Sequence, residues 1–362
     1  MPRRGRLPVV VLCFVLAVAG GLRVLRADQP EKKLYVVGVS HLDTQWWWTI
    51  QETIRTCLPA TFSGTFALFD KYPHFNFSWE GAFRYMLLEE YYPDLYQELL
   101  DWAAKGRWAP AGSSFEAGDV NIVSPESLNR HFLYGNRYFG ESLGRRSADV
   151  FLPDCFGFGW ALPSVAAHCG LTGFSTQKLG WGSAIELPYT IGRWSGPDGG
   201  TLTAVLNPGS YIATINGDLS LDEELFGQCS AELPGDDLAV SYHYFGTGDQ
   251  GGPVPDDSAA WVDSSVAGAG PIEVVSASSD QLFRDLTPAQ AASLPAYTGE
   301  LLLSTHGTGC YTSQAAMKRF NRRNEQLAQA AEAAAVAADW LGGLAYPRSE
   351  IHGAWVRFLS RH

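Results

Sequence analysis

Leu34-Tyr35-Val36-Val37-Gly38-Val39 is an unbroken β-rich apolar run with no polar alternation. A strand with one wet face alternates; a run that does not is buried on both faces, as in a parallel sheet covered by helices. Further strands are expected at Phe75–Trp79, after Pro73, and at Val150–Pro153 and Leu202–Leu206. Between them the periodicity is helical: Glu80–Glu90, Asp94–Lys105 closed by Gly106, and a helix from Pro125 through Phe139 with Ser124 and Ser127 offering caps. Strand, ten or more helical residues, then strand is the rhythm of βαβ units. From Gly209 to about Pro295, Gly, Pro, Ser and Asp are frequent and periodicity is poor, which predicts long loops with short elements. After Thr312 the texture changes. Met317, Phe320, Leu327, Ala331, Ala334, Ala338 and Leu341 recur at helical spacing up to Gly342-Gly343, and a second helix begins near Ser349.

The first 27 residues stand apart. Arg3, Arg4 and Arg6 precede an apolar run from Leu7 to Leu22, and no acidic residue occurs before Asp28. This is the pattern of a secretory signal peptide, with an uncleaved signal-anchor as the alternative; the run is shorter than the roughly 20 residues of a spanning helix. The expected location is therefore the secretory pathway: secreted, lysosomal or vacuolar, or Golgi lumen. Without that segment, 21 basic residues face 38 acidic ones, a formal charge of -17 where the full chain has -12. Such a balance argues against a nucleic-acid partner, which needs clustered Lys and Arg. A membrane contact is expected only if the N-terminal segment is an anchor. Five scattered cysteines remain (Cys57, Cys155, Cys169, Cys229, Cys310), enough for one or two disulfides that sequence cannot pair. Asn76-Phe77-Ser78 is a formal glycosylation sequon, but it falls in an expected strand, where Asn76 reads equally as structural.

Ligands of parallel α/β sheets bind beyond the carboxyl ends of the strands. Ser40-His41-Leu42-Asp43-Thr44-Gln45-Trp46 sits there after the first strand, and in an extended segment His41 and Asp43 point to one side. An imidazole and a carboxylate so placed suit a divalent metal such as Zn²⁺; the plainer reading is a hydrogen bond between them. Asp154 follows the strand at 150–153 and precedes Phe156-Gly157-Phe158-Gly159; it reads as a metal ligand, a nucleophile, or the N-cap of a helix from Leu162. Asp249 lies in the loop Gly246-Thr247-Gly248-Asp249-Gln250-Gly251-Gly252, a ligand-approaching loop or a surface turn. His306 stands in a glycine-rich turn, where a satisfied polar role is the plainer reading. Trp46, Trp47, Trp48, Phe156 and Phe158 flank these groups. Aromatic faces beside carboxylates suit a sugar, although one or two of the tryptophans are expected to be core.

Taken in order, these pieces resemble glycoside hydrolase family 38, the zinc-dependent retaining α-mannosidases. The resemblance rests on Ser40 to Trp46, Gly106-Arg107-Trp108, Glu116-x-x-Asp119-x-Asn121 with Ser124, Glu126 and Ser127, Leu152 to Phe158, Thr176-Gln177-Lys178-Leu179, the Gly248-Asp249 loop, and Gly299-Glu300-Leu301 through His306 to Tyr311-Thr312-Ser313. It spans about Leu34 to Trp355. The resemblance implies a seven-stranded-barrel-like parallel α/β catalytic domain over 28–312, followed over 313–362 by the start of an α-helical bundle. It implies zinc on His41, Asp43 and Asp154, with Asp154 also the nucleophile. Asp249 takes the acid/base position, although Gln250 stands where Gly is usual. Trp46, Phe156 and His306 fall on the substrate side, and the substrate is a terminal α-mannoside or mannose-containing glycan. Family members are usually more than twice as long, and their fourth zinc ligand is a His in a segment that this chain approaches at Ser360-Arg361-His362. The resemblance thus implies a truncated chain with three of four ligands, weak in zinc binding and in turnover. Alternatives are a metal-dependent carbohydrate deacetylase of related architecture and a catalytically impaired carbohydrate-binding fragment.

Overall fold

A computed structural model describes residues 32–231 and 238–362. The signal or anchor expected over 1–27 lies outside the described residues. Strand β1 (Lys32–Ser40) is buried from Leu34 onward, as its unalternating sequence demands. It is the hub of an all-parallel sheet with β2 (Phe77–Glu80), β3 (Trp108–Ala111), β9 (Val240–Thr247) and β10 (Ile272–Ser276). Along one edge β1 pairs with β9 from Lys33 to Ser40; along the other it pairs first with β10 and then with β2, which passes on to β3. A second sheet contains β4 (Asp149–Phe151), β6 (Gly173–Thr176) and β8 (Thr201–Leu206) in parallel. Strand β7 (Ile191–Ser195) lies antiparallel to β8, with β11 (Ala296–Thr298) beyond it, and β5 (Gly157–Phe158) pairs with β12 (Leu301–Leu302).

The two sheets share one core. Tyr35, Val37 and Val39 of β1, Ala111, Phe151, Val205, and Tyr242 and Tyr244 of β9 form a single buried cluster. Each fully buried side chain of this size contributes about 1.5–3 kcal/mol. At one junction Gly209 bridges to Tyr244 in parallel; at the other, the Gly112 N–H donates to Asp149 at 3.2 Å. Seven of the parallel strands, β1, β2, β3, β4, β6, β8 and β9, therefore follow one another around the common core. Among the described residues no backbone ladder joins β3 to β4, so the ring is barrel-like in order without full closure by hydrogen bonds.

Helices cover the outside where periodicity placed them: Ala82–Tyr91, Pro93–Ala104, Pro125–Ser142 and Leu162–His168. Ser124 caps the third, its hydroxyl accepting from the Ser127 N–H. Leu58–Lys71, which drew no assignment in the sequence, buries Leu58, Phe62, Phe66 and Phe69 against β2 and β3 residues such as Phe77 and Trp108. The largest departure lies in 209–295. Instead of loops it supplies β9 and β10, the immediate partners of β1, and the helix Asp256–Val266. No helix of the described residues is long and apolar enough to cross a membrane.

The amphipathic helix is present as Ala315–Trp340, followed by Arg348–Leu359, but its burial is reversed from the expectation. Met317, Phe320 and Leu327 are exposed, and Glu325 is the buried residue. Its carboxylate accepts from the Ser124 N–H (2.6 Å) and the Ser127 hydroxyl (2.9 Å), at the helix N-terminus that favours negative charge. Arg130 pairs with Glu332 nearby, and Trp355 and Leu359 enter the core from the last helix. Asn76 is structural as well: its amide donates to Ser276 O at 2.6 Å. All five cysteines among the described residues are free.

Asp149 gives a test of this packing. Its carboxyl is fully buried; burial first, and then the charge of Asp280, raise its pKa to about 7. Because this exceeds the ordinary value of about 3.9, folding takes up a proton between about pH 4 and pH 7, and this group's contribution to stability falls as pH rises through that window. Melting temperatures measured across the window should fall less steeply for Asp149→Asn than for wild type. Parallel curves would refute the assignment.

Candidate active site

Every parallel strand of the ring delivers a polar side chain beyond its carboxyl end. His41 and Asp43 follow β1, Glu80 closes β2, Glu116 follows β3, Asp154 follows β4, Lys178 follows β6, Tyr211 follows β8 and Asp249 follows β9. The β1 and β9 loops are fixed to each other: the His41 N–H donates to Thr247 O (2.8 Å), the Asp43 N–H to Asp249 O (2.9 Å) and the Gly251 N–H to His41 O (2.9 Å). Gly246 pairs with Val39 in the β1–β9 ladder, at φ +155°, and a Cβ there would collide with the Val39 carbonyl. This glycine thus serves close backbone approach.

His41 is the centre of the cluster. Its Nδ1 is 2.6 Å from Glu80 Oε1, while Nε2 is 3.6 Å from Asp43 Oδ1 and 3.7 Å from Asp154 Oδ2. The ring is buried, and Nε2 has no hydrogen-bond partner among the described residues. His41, Asp43 and Asp249 each place one donor atom within 4.8 Å of the others. Burial by itself lowers the imidazole pKa, but the charge of Glu80, the nearby Asp43 carboxylate, the hydrogen bond with Glu80 and the charge of Asp154 raise it to about 10. A field that holds a proton this firmly also favours a metal cation in its place. The unpartnered ring nitrogen and the oxygen donors around it fit a divalent metal. The tight set has Asp249 as its third member, where the sequence placed Asp154; Asp154 lies against the same nitrogen.

Asp154 is not the N-cap of the following helix, which begins after Ala161 without a side-chain cap. Its Oδ1 forms an ion pair with the buried Lys178 and lies 3.2 Å from Tyr211 Oη. Tyr211 Oη also lies 2.8 Å from Asp249 Oδ1, so Asp249 is tied into the site and is no free surface turn. Burial, and then the charge of Asp154, push the Tyr211 pKa far upward, so its single proton is kept and serves one carboxylate at a time. The two carboxylate oxygens can be no farther apart than these two contacts laid end to end.

Aromatic surface rims the site. Trp46 is 56% and Trp47 85% exposed, with ring centroids 4.8 Å apart, while Trp48 is the core member of the three and donates to Asp43 O. Lys178 lies over Phe156 and Trp181, and His306 packs against both rings at 5.5 and 4.8 Å. Glu80, Arg84, Lys178 and Tyr211 join the site without a role assigned from sequence. The rule that selected His41 and Asp154, a polar residue just past a parallel strand, also selects Glu80 and Lys178; Tyr211 lay in the stretch read as loop.

Residues 31–300 match the family described as glycosyl hydrolases family 38 N-terminal domain, and residues 305–361 match the alpha mannosidase middle domain. Alpha-mannosidase G of Dictyostelium discoideum is 32% identical over 297 residues, covering 82% of this chain and 26% of its own length. Alpha-mannosidase 2C1 of Homo sapiens is 28% identical over 336 residues, 91% of this chain and 31% of the relative. The crystal structure of an alpha-mannosidase from Enterococcus faecalis superposes with a TM-score of 0.70 at 21% identity, covering 91% of this chain and 38% of that one. The chain therefore spans well under half the length of these relatives. The match over residues 31–300 takes in His41, Asp43, Asp154 and Asp249 together with both sheets, and the chain belongs to glycosyl hydrolase family 38.

Proposed function

We propose that this chain carries the catalytic region of a zinc-dependent retaining α-mannosidase, with 28–312 as the catalytic unit and 313–362 as the beginning of a helical one. The observation that carries the reading is the convergence of His41, Asp43, Asp154 and Asp249 beyond the strand ends, around a buried imidazole nitrogen with no partner. His41, Asp43 and Asp154 would hold the zinc, with the Asp249 backbone pinning Asp43 from behind. A bound zinc ion would keep the carboxylates ionised and offer two positions to vicinal sugar hydroxyls.

The remaining chemistry belongs to the side chains. Asp154, its charge balanced by Lys178, attacks the anomeric carbon and becomes a glycosyl ester. Asp249 gives a proton to the departing oxygen and then accepts one from the water that cleaves the ester. Double displacement requires the two carboxyl groups to lie roughly 5–5.5 Å apart, and their shared contact with Tyr211 is compatible with that separation. Tyr211 can move its hydrogen bond from one carboxylate to the other as charge passes between them. Trp46 offers an exposed ring face to the sugar, and Phe156 and His306, packed on each other, offer a second aromatic surface. Secretory targeting by residues 1–27 forms part of this reading.

Four outcomes are expected with aryl α-mannosides as substrates and zinc supplied. Asp154→Asn should lower kcat by about a thousandfold or more, and chelation should abolish wild-type release. Asp249→Asn should lose about 10²- to 10⁴-fold on substrates with poor leaving groups and much less on activated ones, because only the former need protonation. Turnover by Asp154→Asn at the wild-type rate would refute the nucleophile, and an equal loss for both leaving groups would refute the acid. NMR of the first-formed sugar should show retained α-configuration.

A further inference from the structure

We propose that Glu80 is a positioning residue for the metal site: its buried carboxylate fixes the tautomer and ring orientation of His41, so that Nε2 faces Asp43 and Asp154 as a lone pair. The inference rests on the reading of His41 as a metal ligand. Glu80 is 2% exposed, and its Oε1 lies 2.6 Å from His41 Nδ1. An ionised carboxylate only accepts hydrogen bonds, so Nδ1 carries the hydrogen and, in the neutral ring, Nε2 is left to bind. The His41 main chain is already held by Thr247 and Gly251, so the remaining freedom is rotation of the ring, and the bond to Glu80 removes it. Tyr211 covers the ring at 5.0 Å between centroids.

A buried carboxylate needs a balancing charge, and Arg84 supplies it. Arg84 is 1% exposed. Its guanidinium reaches the Glu80 carbonyl (3.2 Å), the Glu80 carboxylate (3.8 Å), Glu116 Oε1 (2.8 Å) and the Leu42 carbonyl. Glu116 in turn accepts from the Thr44 hydroxyl at 2.8 Å. Arg84 therefore grips both sides of Asp43, Leu42 directly and Thr44 through Glu116. Glu80 sets the ring of one ligand, and the Arg84–Glu116 pair sets the backbone that carries the other. Partners of this kind are worth about 10- to 100-fold in metal affinity.

The test is Glu80→Gln, which keeps the shape and removes the charge. Zinc affinity is measured by competition with a chromophoric chelator, and the Co²⁺-loaded protein by its visible spectrum. The expected result is an affinity about 10- to 100-fold weaker and altered Co²⁺ bands, with the near-ultraviolet circular dichroism of the metal-free protein unchanged. If the Gln variant does not fold, Glu80→Asp carries the test, with an intermediate loss expected because it keeps the charge at a longer reach. A folded variant that binds zinc as wild type does would overturn the role of Glu80 alone. Loss of affinity matched by equal loss of metal-free stability would also overturn it, as a purely structural effect. Wild-type protein that takes up no zinc would instead overturn the metal reading, and this inference with it.

Discussion

Three parallel ladders meet on one nine-residue strand, and the site depends on that crowding. β1 has β9 along one side and shares its other side between β10 and β2, so its register is fixed by three partners at once. A shift of one residue would turn Tyr35, Val37 and Val39 out of the central core. The same lock fixes where the strand ends, and hence where His41 and Asp43 emerge. Gly246 makes the lock possible, because a side chain there would push β9 off the Val39 carbonyl. The loop carrying Asp249 is thus held against the loop carrying Asp43 by backbone hydrogen bonds, independently of either carboxylate.

Charge balance explains the site's composition. Asp43, Glu80, Glu116, Asp154 and Asp249 are five carboxylates gathered around two basic side chains, Arg84 and Lys178. With His41 neutral the group carries three uncompensated negative charges. A divalent cation and one proton on a carboxyl group would neutralise them. That is the inventory the proposed reaction calls for, one acid and one ionised nucleophile beside a bound cation. The same excess of negative charge is the sense of the raised His41 pKa.

Much of this was legible in the sequence because burial leaves a simple trace. The unalternating run of β1, the helices between 80 and 142, and the carboxylate past β4 all follow from period and position. What was illegible is equally physical. β9 reads Val-Ser-Tyr-His-Tyr-Phe-Gly-Thr, with polar residues that pack inside the protein, and its glycine obeys a close approach that only the partner strand reveals. The apolar positions of the helix 315–340 predicted a buried stripe, yet a carboxylate docked on the N-terminus of another helix decided which face turns inward. Tyr211 gave no motif at all, and Glu80 gave only its position at a strand end. Their roles exist only through contacts between strands far apart in the chain.

The Glu80–Arg84–Glu116 cluster is an uneconomical way to fill a core. Burying three charged groups costs several kcal/mol per ion before their mutual attraction is counted, and well-packed apolar replacements are often neutral or stabilising. The region around it is strongly apolar, with Trp79, Tyr85, Phe115 and Trp108 all buried close by in sequence or in contact. Apolar residues would fill that volume without the desolvation cost. They could not orient an imidazole or hold the Leu42 carbonyl and the Thr44 hydroxyl on either side of Asp43. The expense is intelligible only if the geometry of His41 and Asp43 matters more to the molecule than the stability surrendered, which is the mark of a site built to hold a cation at fixed coordinates.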